Sequence, residues 1–224
     1  MNEIQTINDF INHNPINPII VNTTPSTTPN TSLNTWHDQI YYPSRYNRYN
    51  DTDLAMKIYE KVKNLYDDLE YFLKNKSSNI KIYPMGLGSN TLVRDGGYDG
   101  VIIRLNNFNK TCVKDTTIST GTGNSDLKIA KLAMNNNISG FEFLSGIPGC
   151  IGGAIVMNAG AYDNETSDIF VSAQGFDYQG NKLTLSKEQM NFSYRHCDYA
   201  DNVIFTSVTF QGKIGKKEEI NKKM

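Results

Sequence analysis

The stretch GLGSNTLVRDGG, residues 86–97, sets four glycines, a serine and an asparagine around the short apolar run Thr91-Leu92-Val93. A turn that only reverses the chain needs one or two residues able to take a positive φ. Gly86, Gly88, Ser89 and Asn90 in near succession suggest more: a loop whose N–H groups lie open to something that approaches closely, with phosphate the usual guest. An ordinary strand-to-strand turn fits the same residues, since glycine punctuates loops of every kind. A second cluster, GFEFLSGIPGCIGGAIVMNAGAY over residues 140–162, bears on that choice. Gly146, Gly149, Gly152, Gly153 and Gly160 sit there among apolar residues, with Pro148 stiffening the middle. Taken alone it reads equally as a buried β-turn-helix element in which glycines permit close packing. Two such loops in one domain can also wrap a long ligand, one loop on a diphosphate and the other along a flat ring system. Neither loop is GxxxxGK[ST] or GxGxxG, so P-loop and Rossmann sites fit poorly.

Around these loops the hydrophobic period changes along the chain. Residues 1–35 are rich in Asn, Thr and Pro and poor in large apolar residues, the composition of a flexible leader. Leu54, Ile58, Val62, Leu65, Leu69 and Phe72 then recur at steps of three and four, one stripe of a helix that Asp51 or Thr52 can cap. From Ile80 the period is that of strands. IKIYPM leads into the first glycine loop and GVIIRL leads out of it, while TCVKDTTIST reads as one strand ending at Gly121. SDLKIAKLAMNNN is a short helix capped by Ser125. IFVSAQGFDYQGNKLTL reads as two strands joined at Gln179-Gly180-Asn181. SKEQ has capping-box spacing from Ser186 to Gln189, NVIFTSVTFQG is a last strand, and KIGKKEEINKKM begins a helix. Helix first and mostly strands afterwards predicts an α+β fold.

With 22 basic and 23 acidic side chains the 224-residue chain has a formal net charge of -1. That balance offers no electrostatic footprint for nucleic acid or an anionic membrane. No apolar stretch approaches a bilayer span, and MNEIQTINDF is neither a secretory signal nor an Arg-rich transit peptide. Cys112, Cys150 and Cys197 form no CxxC and fit reduced thiols. These features predict a cytoplasmic protein.

Three blocks, GLGSNTLVRDGGYDGVIIRL, GFEFLSGIPGCIGGAIVMNAGAYDNETSDI and MNFSYRHCDYADNVIFTSVTF, resemble successive blocks of the bacterial UDP-N-acetylenolpyruvoylglucosamine reductases, the MurB family of UDP-N-acetylmuramate dehydrogenases. They follow the family's order and spacing over about residues 80–212. The resemblance implies an FAD-binding domain of the vanillyl-alcohol-oxidase (PCMH) type. It divides the chain after the leader into an N-terminal part of the FAD-binding region (36–78), a core (79–212) and the start of a truncated segment (213–224), without the C-terminal substrate domain. FAD is the implied cofactor and NADPH the reductant, acting on a UDP-sugar for peptidoglycan synthesis. Gly86, Gly88, Ser89 and Asn90 would hold the FAD diphosphate, and Gly123 is a further cofactor-binding position. Ile147, Pro148, Gly149, Gly152, Gly153 and Ala154 would pass along the cofactor, with Asn158, Gly160, Ala161 and Tyr162 close behind.

The same resemblance gives Arg195 the catalytic role and Tyr194 a place in substrate binding. Reduction of the enolpyruvyl double bond builds charge beside a carboxylate, which a fixed guanidinium stabilises most in the transition state. No metal is expected, since no zinc-type ligand spacing occurs. His196 and Cys197 receive no chemistry, Cys197 standing where the family usually has Ser, and Glu165 and Asp168 read as solvated or capping acids. Two departures stand out. The family's protonating Ser and its C-terminal Glu lie beyond the matched blocks, so a C-terminal fragment is the implied partner. The Gly-Gly pair that follows the family's TW is missing after Trp36, and His37 has no role. Two alternatives therefore stay open: a non-catalytic flavin-binding remnant, or another oxidoreductase of the same FAD fold.

Overall fold

A computed structural model describes residues 20–22, 65–93, 95 and 97–224. Contacts divide the chain into two compact units, residues 1–84 with 91–104 and residues 85–90 with 105–224. In the first unit, β1 (Ile20–Asn22) pairs antiparallel with β3 (Val101–Arg104), Ile20 opposite Ile103. The sheet order is β1-β3-β2, where β2 is Ile82–Met85. β1 falls inside the Asn/Thr/Pro-rich stretch, where composition gives no strand signal. Helix α1 (Leu65–Asn75) buries Leu69, Phe72 and Leu73, continuing the three-and-four stripe. Leu54, Ile58, Val62 and the caps at Asp51 or Thr52 lie outside the described residues, as do Trp36 and His37.

The second unit is built on a five-stranded antiparallel sheet in the order β10-β9-β11-β5-β4. These strands are β4 (Thr111–Lys114), β5 (Thr117–Gly121), β9 (Phe170–Asp177), β10 (Lys182–Ser186) and β11 (Val203–Gln211). The single strand predicted for TCVKDTTIST is a tight hairpin instead, with Lys114 opposite Thr117. Asp115 takes φ 53° at the turn, a left-handed conformation that a short polar side chain tolerates. The two-residue loop Asp115-Thr116 carries no glycine or proline and is followed at once by β-branched Thr117 and Ile118, so the run reads as one strand. The β9–β10 hairpin does turn at Gln179-Gly180-Asn181, with Gly180 at φ 85°. There Asp177 Oδ1 accepts from the backbone N–H groups of Gln179 and Asn181.

Helix α2 (Asp126–Asn135) starts at the Ser125 cap, whose hydroxyl accepts from Lys128 N at 3.3 Å. It turns Ile129, Ala130 and Ala133 into the main core, beside Phe141, Phe143 and Leu144 on and before the 3₁₀ turn Glu142–Gly146. Phe210 of β11 meets Phe141 edge-on at 6.1 Å and Phe170 at 6.4 Å. Each such buried aromatic contributes about 1.5–3 kcal/mol. The chain end also folds back: β12 (Lys213–Ile214) pairs with β6 (Ile138–Ser139), and α6 (Lys217–Lys223) buries Ile220. SKEQ forms the one-turn helix α5 (Lys187–Met190) with both capping-box bonds present.

Candidate functional site

The first glycine loop and the centre of the second cluster come together in the second unit. Leu105 N donates to Met85 O at 3.2 Å, fixing the start of the loop. A side chain at Gly86 would overlap the Cys150 sulfur and force it to move, and Gly88 takes φ 78°. Cys150 forms a bridge with Ser125, and Asp126 N donates to Gly149 O at 3.2 Å. Two more bonds complete the seam, Ile151 N to Asn124 O and Gly152 N to Thr122 O, both at 2.9 Å. Gly123 sits against the Leu105 carbonyl, where any Cβ would collide.

Thr122 is placed by an irregularity in the sheet. The register of β11 on β9 shifts between Phe205 and Ser207, and a bulge of this kind re-aims backbone groups. Thr206 O accepts from Thr122 N at 3.1 Å, and Phe205 O accepts from the Thr122 hydroxyl at 2.7 Å. Thr122 then receives Gly152, so the sheet interior sets the position of helix α3 (Ile151–Val156). The two adjacent glycines of α3 differ sharply. A Cβ on Gly152 would stand 3.2 Å from Thr122 Cβ, whereas a Cβ on Gly153 would meet nothing within 4 Å.

Asp126 lies in this seam. Its side chain is fully buried, and neither carboxyl oxygen has a hydrogen-bond partner among the described residues. Burial pushes its pKa up to about 7. Sequence reading passed over it, because an acid in the first turn of a helix is ordinary.

Beyond α3 the second cluster carries a strained surface. Asn158, Tyr162, Asp163 and Arg195 all take positive φ, between 38° and 60°. Such conformations cost about 1–3 kcal/mol each and gather where function or packing demands them. Asn158 is fully buried and both ends of its amide are used: Nδ2 donates to Ser193 O at 3.0 Å, and Oδ1 accepts from Ser167 N at 2.9 Å. It thereby ties the loop that bears Tyr194 and Arg195 to the start of helix α4 (Thr166–Ile169). Exchanging the amide for a carboxyl, Asn158→Asp, keeps the shape but turns the donor toward Ser193 O into an acceptor. That change is expected to lower unfolding free energy by about 1–3 kcal/mol in denaturant titrations at neutral pH.

Arg195 is exposed, with Nη2 donating to Gly160 O at 2.9 Å and its guanidinium 5.5 Å from the Tyr194 ring. Gly160 and Ala161 form β7, paired with Asn164–Glu165 as β8. Tyr162, 72% exposed, covers Gly146 at 2.9 Å from where its Cβ would be. The Ser167 hydroxyl holds the Glu165 carboxyl below its usual range, helped by Asn158 and by the Arg195 charge. Asp168 Oδ2 accepts from Glu165 N at 2.8 Å, a helix cap as expected of these acids. His196 Nε2 lies 3.3 Å from Asp198 Oδ1, and burial raises the Cys197 thiol between them. Among the described residues no group of three or more His, Cys, Asp or Glu is placed to hold a metal ion.

The candidate residues thus form two neighbourhoods joined by α3. Gly86, Gly88, Ser89, Gly123, Gly149 and Gly152 belong to the seam, and Asn158, Gly160, Tyr162, Tyr194 and Arg195 to the strained surface. Ala154 is buried in α3, Ile147 is half-buried, and Pro148 is exposed. Sequence reasoning missed Thr122, Cys150 and Asp126, whose parts depend on neighbours distant in the chain.

Residues 66–186 match the family described as FAD binding domain. The chain is 45% identical over 159 residues to the UDP-N-acetylenolpyruvoylglucosamine reductase of Beijerinckia indica, covering 70% of this chain and 51% of that protein. The protein of the same name from Azorhizobium caulinodans is 44% identical over 158 residues, with 70% and 51% covered. Among solved structures, UDP-N-acetylenolpyruvylglucosamine reductase (MurB) from Thermus caldophilus superposes with a TM-score of 0.60 at 28% identity, covering 71% of this chain and 57% of that one. The chain spans about half the length of the curated relatives it matches.

Proposed function

The chain belongs to the FAD binding domain family, and on that premise we propose that it holds FAD within an NADPH-using reductase that converts UDP-N-acetylenolpyruvoylglucosamine to UDP-N-acetylmuramate. The names of its relatives support the substrate. Such a reaction belongs to cytoplasmic peptidoglycan synthesis. Among the described residues no helix is long and apolar enough to cross a membrane.

One observation carries the cofactor reading: the first glycine loop packs at Gly86 on Cys150 of the second cluster, and beside that seam Gly153 faces open space, with nothing within 4 Å of where its Cβ would be. A diphosphate needs fixed N–H donors at close range, and glycines offer them without steric cost. Gly86, Gly88, Ser89 and Asn90 would hold the diphosphate, with Gly123 behind them as a supporting position whose own N–H donates to Phe108 O at 2.9 Å. Ile147, Pro148, Gly149, Gly152, Gly153 and Ala154 would run along the cofactor, with Asn158, Gly160, Ala161 and Tyr162 supporting the far end. Bound FAD supplies hydride transfer.

The chain's own part is electrostatic and positional. Arg195 carries a planar fork suited to a carboxylate, and its placement is held by Gly160 O and the Tyr194 ring. As the substrate's double bond is reduced, charge grows beside its carboxylate and the fixed guanidinium stabilises it. Tyr194, 85% exposed, can reach the same substrate. The experiment is a titration of the purified chain with FAD, followed by flavin absorbance and calorimetry. Saturable binding of one FAD per chain is expected; a folded chain that leaves FAD free at high concentration overturns the reading.

A further inference from the structure

Asp126 is the feature of the seam that packing does not explain. Buried polar groups are nearly always hydrogen-bonded, and an unpaired buried carboxyl is costly. Here a fully buried carboxyl has no partner among the described residues. It lies where the two glycine loops meet. The point that a Gly149 Cβ would occupy is 2.8 Å from Asp126 Oδ2 and 3.6 Å from Ser89 Oγ.

Among the described residues no cation is aimed at this carboxyl. Lys128, on the same helix, donates its Nζ to Asn124 Oδ1 at 2.7 Å, and Lys131 lies on the exposed side of α2. Residues 85–90 and 147–150 carry no charged side chain. Cys150, packed on Gly86, is the one titratable group they bring. Burial alone accounts for the raised affinity of Asp126 for its proton, holding the pKa at about 7.

Resting on the FAD reading above, we propose that Asp126 is a cofactor-binding residue that acts as a neutral carboxyl, donating its O–H to the diphosphate between the glycine loops. Binding of FAD then takes up one proton. An ionised carboxylate beside a diphosphate would repel it, and two such acids cannot both stay ionised at close range. A protonated carboxyl is instead a donor to a charged oxygen, the stronger class of hydrogen bond. The orphaned atoms gain the partner that the described residues do not offer. The sign follows by linkage. The bound form holds the proton more tightly than the free form, so affinity is flat where the free carboxyl is already protonated and falls as pH rises past its free pKa.

The experiment is FAD titration of the whole chain by flavin fluorescence from pH 5.5 to 9, with Asp126→Asn alongside. FAD phosphates stay ionised throughout. The wild-type Kd is expected to be flat below about pH 6.5 and to weaken by up to about tenfold per pH unit above 7.5. Asp126→Asn, which keeps a donor at every pH, should bind with a flat profile. Calorimetry of the wild type near pH 8, in two buffers of different ionisation enthalpy, should show nearly one proton taken up per FAD. That second measurement decides the matter even where Asp126→Asn does not fold. A pH-independent wild-type Kd, no buffer-dependent heat, or an unchanged slope in a folded Asp126→Asn would each overturn the proposal and leave FAD binding intact. Absence of FAD binding at every pH overturns the cofactor reading, and this proposal with it.

Discussion

Gly153→Val is expected to leave the chain folded while weakening FAD binding by about 10- to 100-fold, whereas Gly152→Val should damage the fold itself. The two residues are neighbours on α3, yet a Cβ on Gly153 meets nothing within 4 Å and one on Gly152 stands 3.2 Å from Thr122 Cβ. Valine at 153 would project branches into the space proposed for the cofactor. Overpacking of that kind typically costs about 1–3 kcal/mol, which sets the range of affinity lost. The chain's own stability should move by no more than about 0.5 kcal/mol, as for other open surface positions. At 152 the same branches press on Thr122, which cannot yield without breaking its bond to Phe205 O. There the loss of stability should reach about 3 kcal/mol. Thermal unfolding and FAD titration of the two variants give the check. Equal stabilities, or a Gly153→Val chain that binds FAD like the wild type, would contradict this assignment of faces.

Arg195→Lys should keep FAD and lose most of the turnover. A lysine brings a point charge on a flexible stem, without the fork that pairs two oxygens at once. Removal of one preorganised stabiliser of developing charge typically costs about 2.7–4 kcal/mol, or about 10²–10³ in rate. Arg195 is held at φ 56° with its Nη2 on Gly160 O. Arg195→Ala should be at least as slow, while the neighbouring His196→Ala should be mild. The measurement is NADPH oxidation dependent on the enolpyruvyl sugar, with and without a C-terminal fragment of a relative added. Turnover insensitive to Arg195 would remove its proposed role. No turnover in either condition would leave flavin binding without catalysis as the better account.

Much of the second unit was legible before any coordinates. Ser125 and the Ser186–Gln189 box marked helix starts because a cap is a local bond between residues three apart. Gln179-Gly180-Asn181 marked its hairpin because the turn demands a left-handed residue. The reversal at Asp115 escaped notice for the opposite reason: its turn carries no glycine, and the strand pattern continues on both sides.

What the sequence by itself determined is the α+β class, the capped helices, the longer strands and the two glycine loops. Each rests on interactions between near neighbours in the chain, which spacing and residue type express directly. Only the tertiary structure decided which way each glycine faces and which polar group is left alone. Gly152 is closed by Thr122, itself placed through the β11 irregularity at Thr206. Asp126 is buried beside Gly149, and neither of its carboxyl oxygens has a partner among the described residues. Burial of that kind is set by residues tens of positions apart, and no local pattern records it.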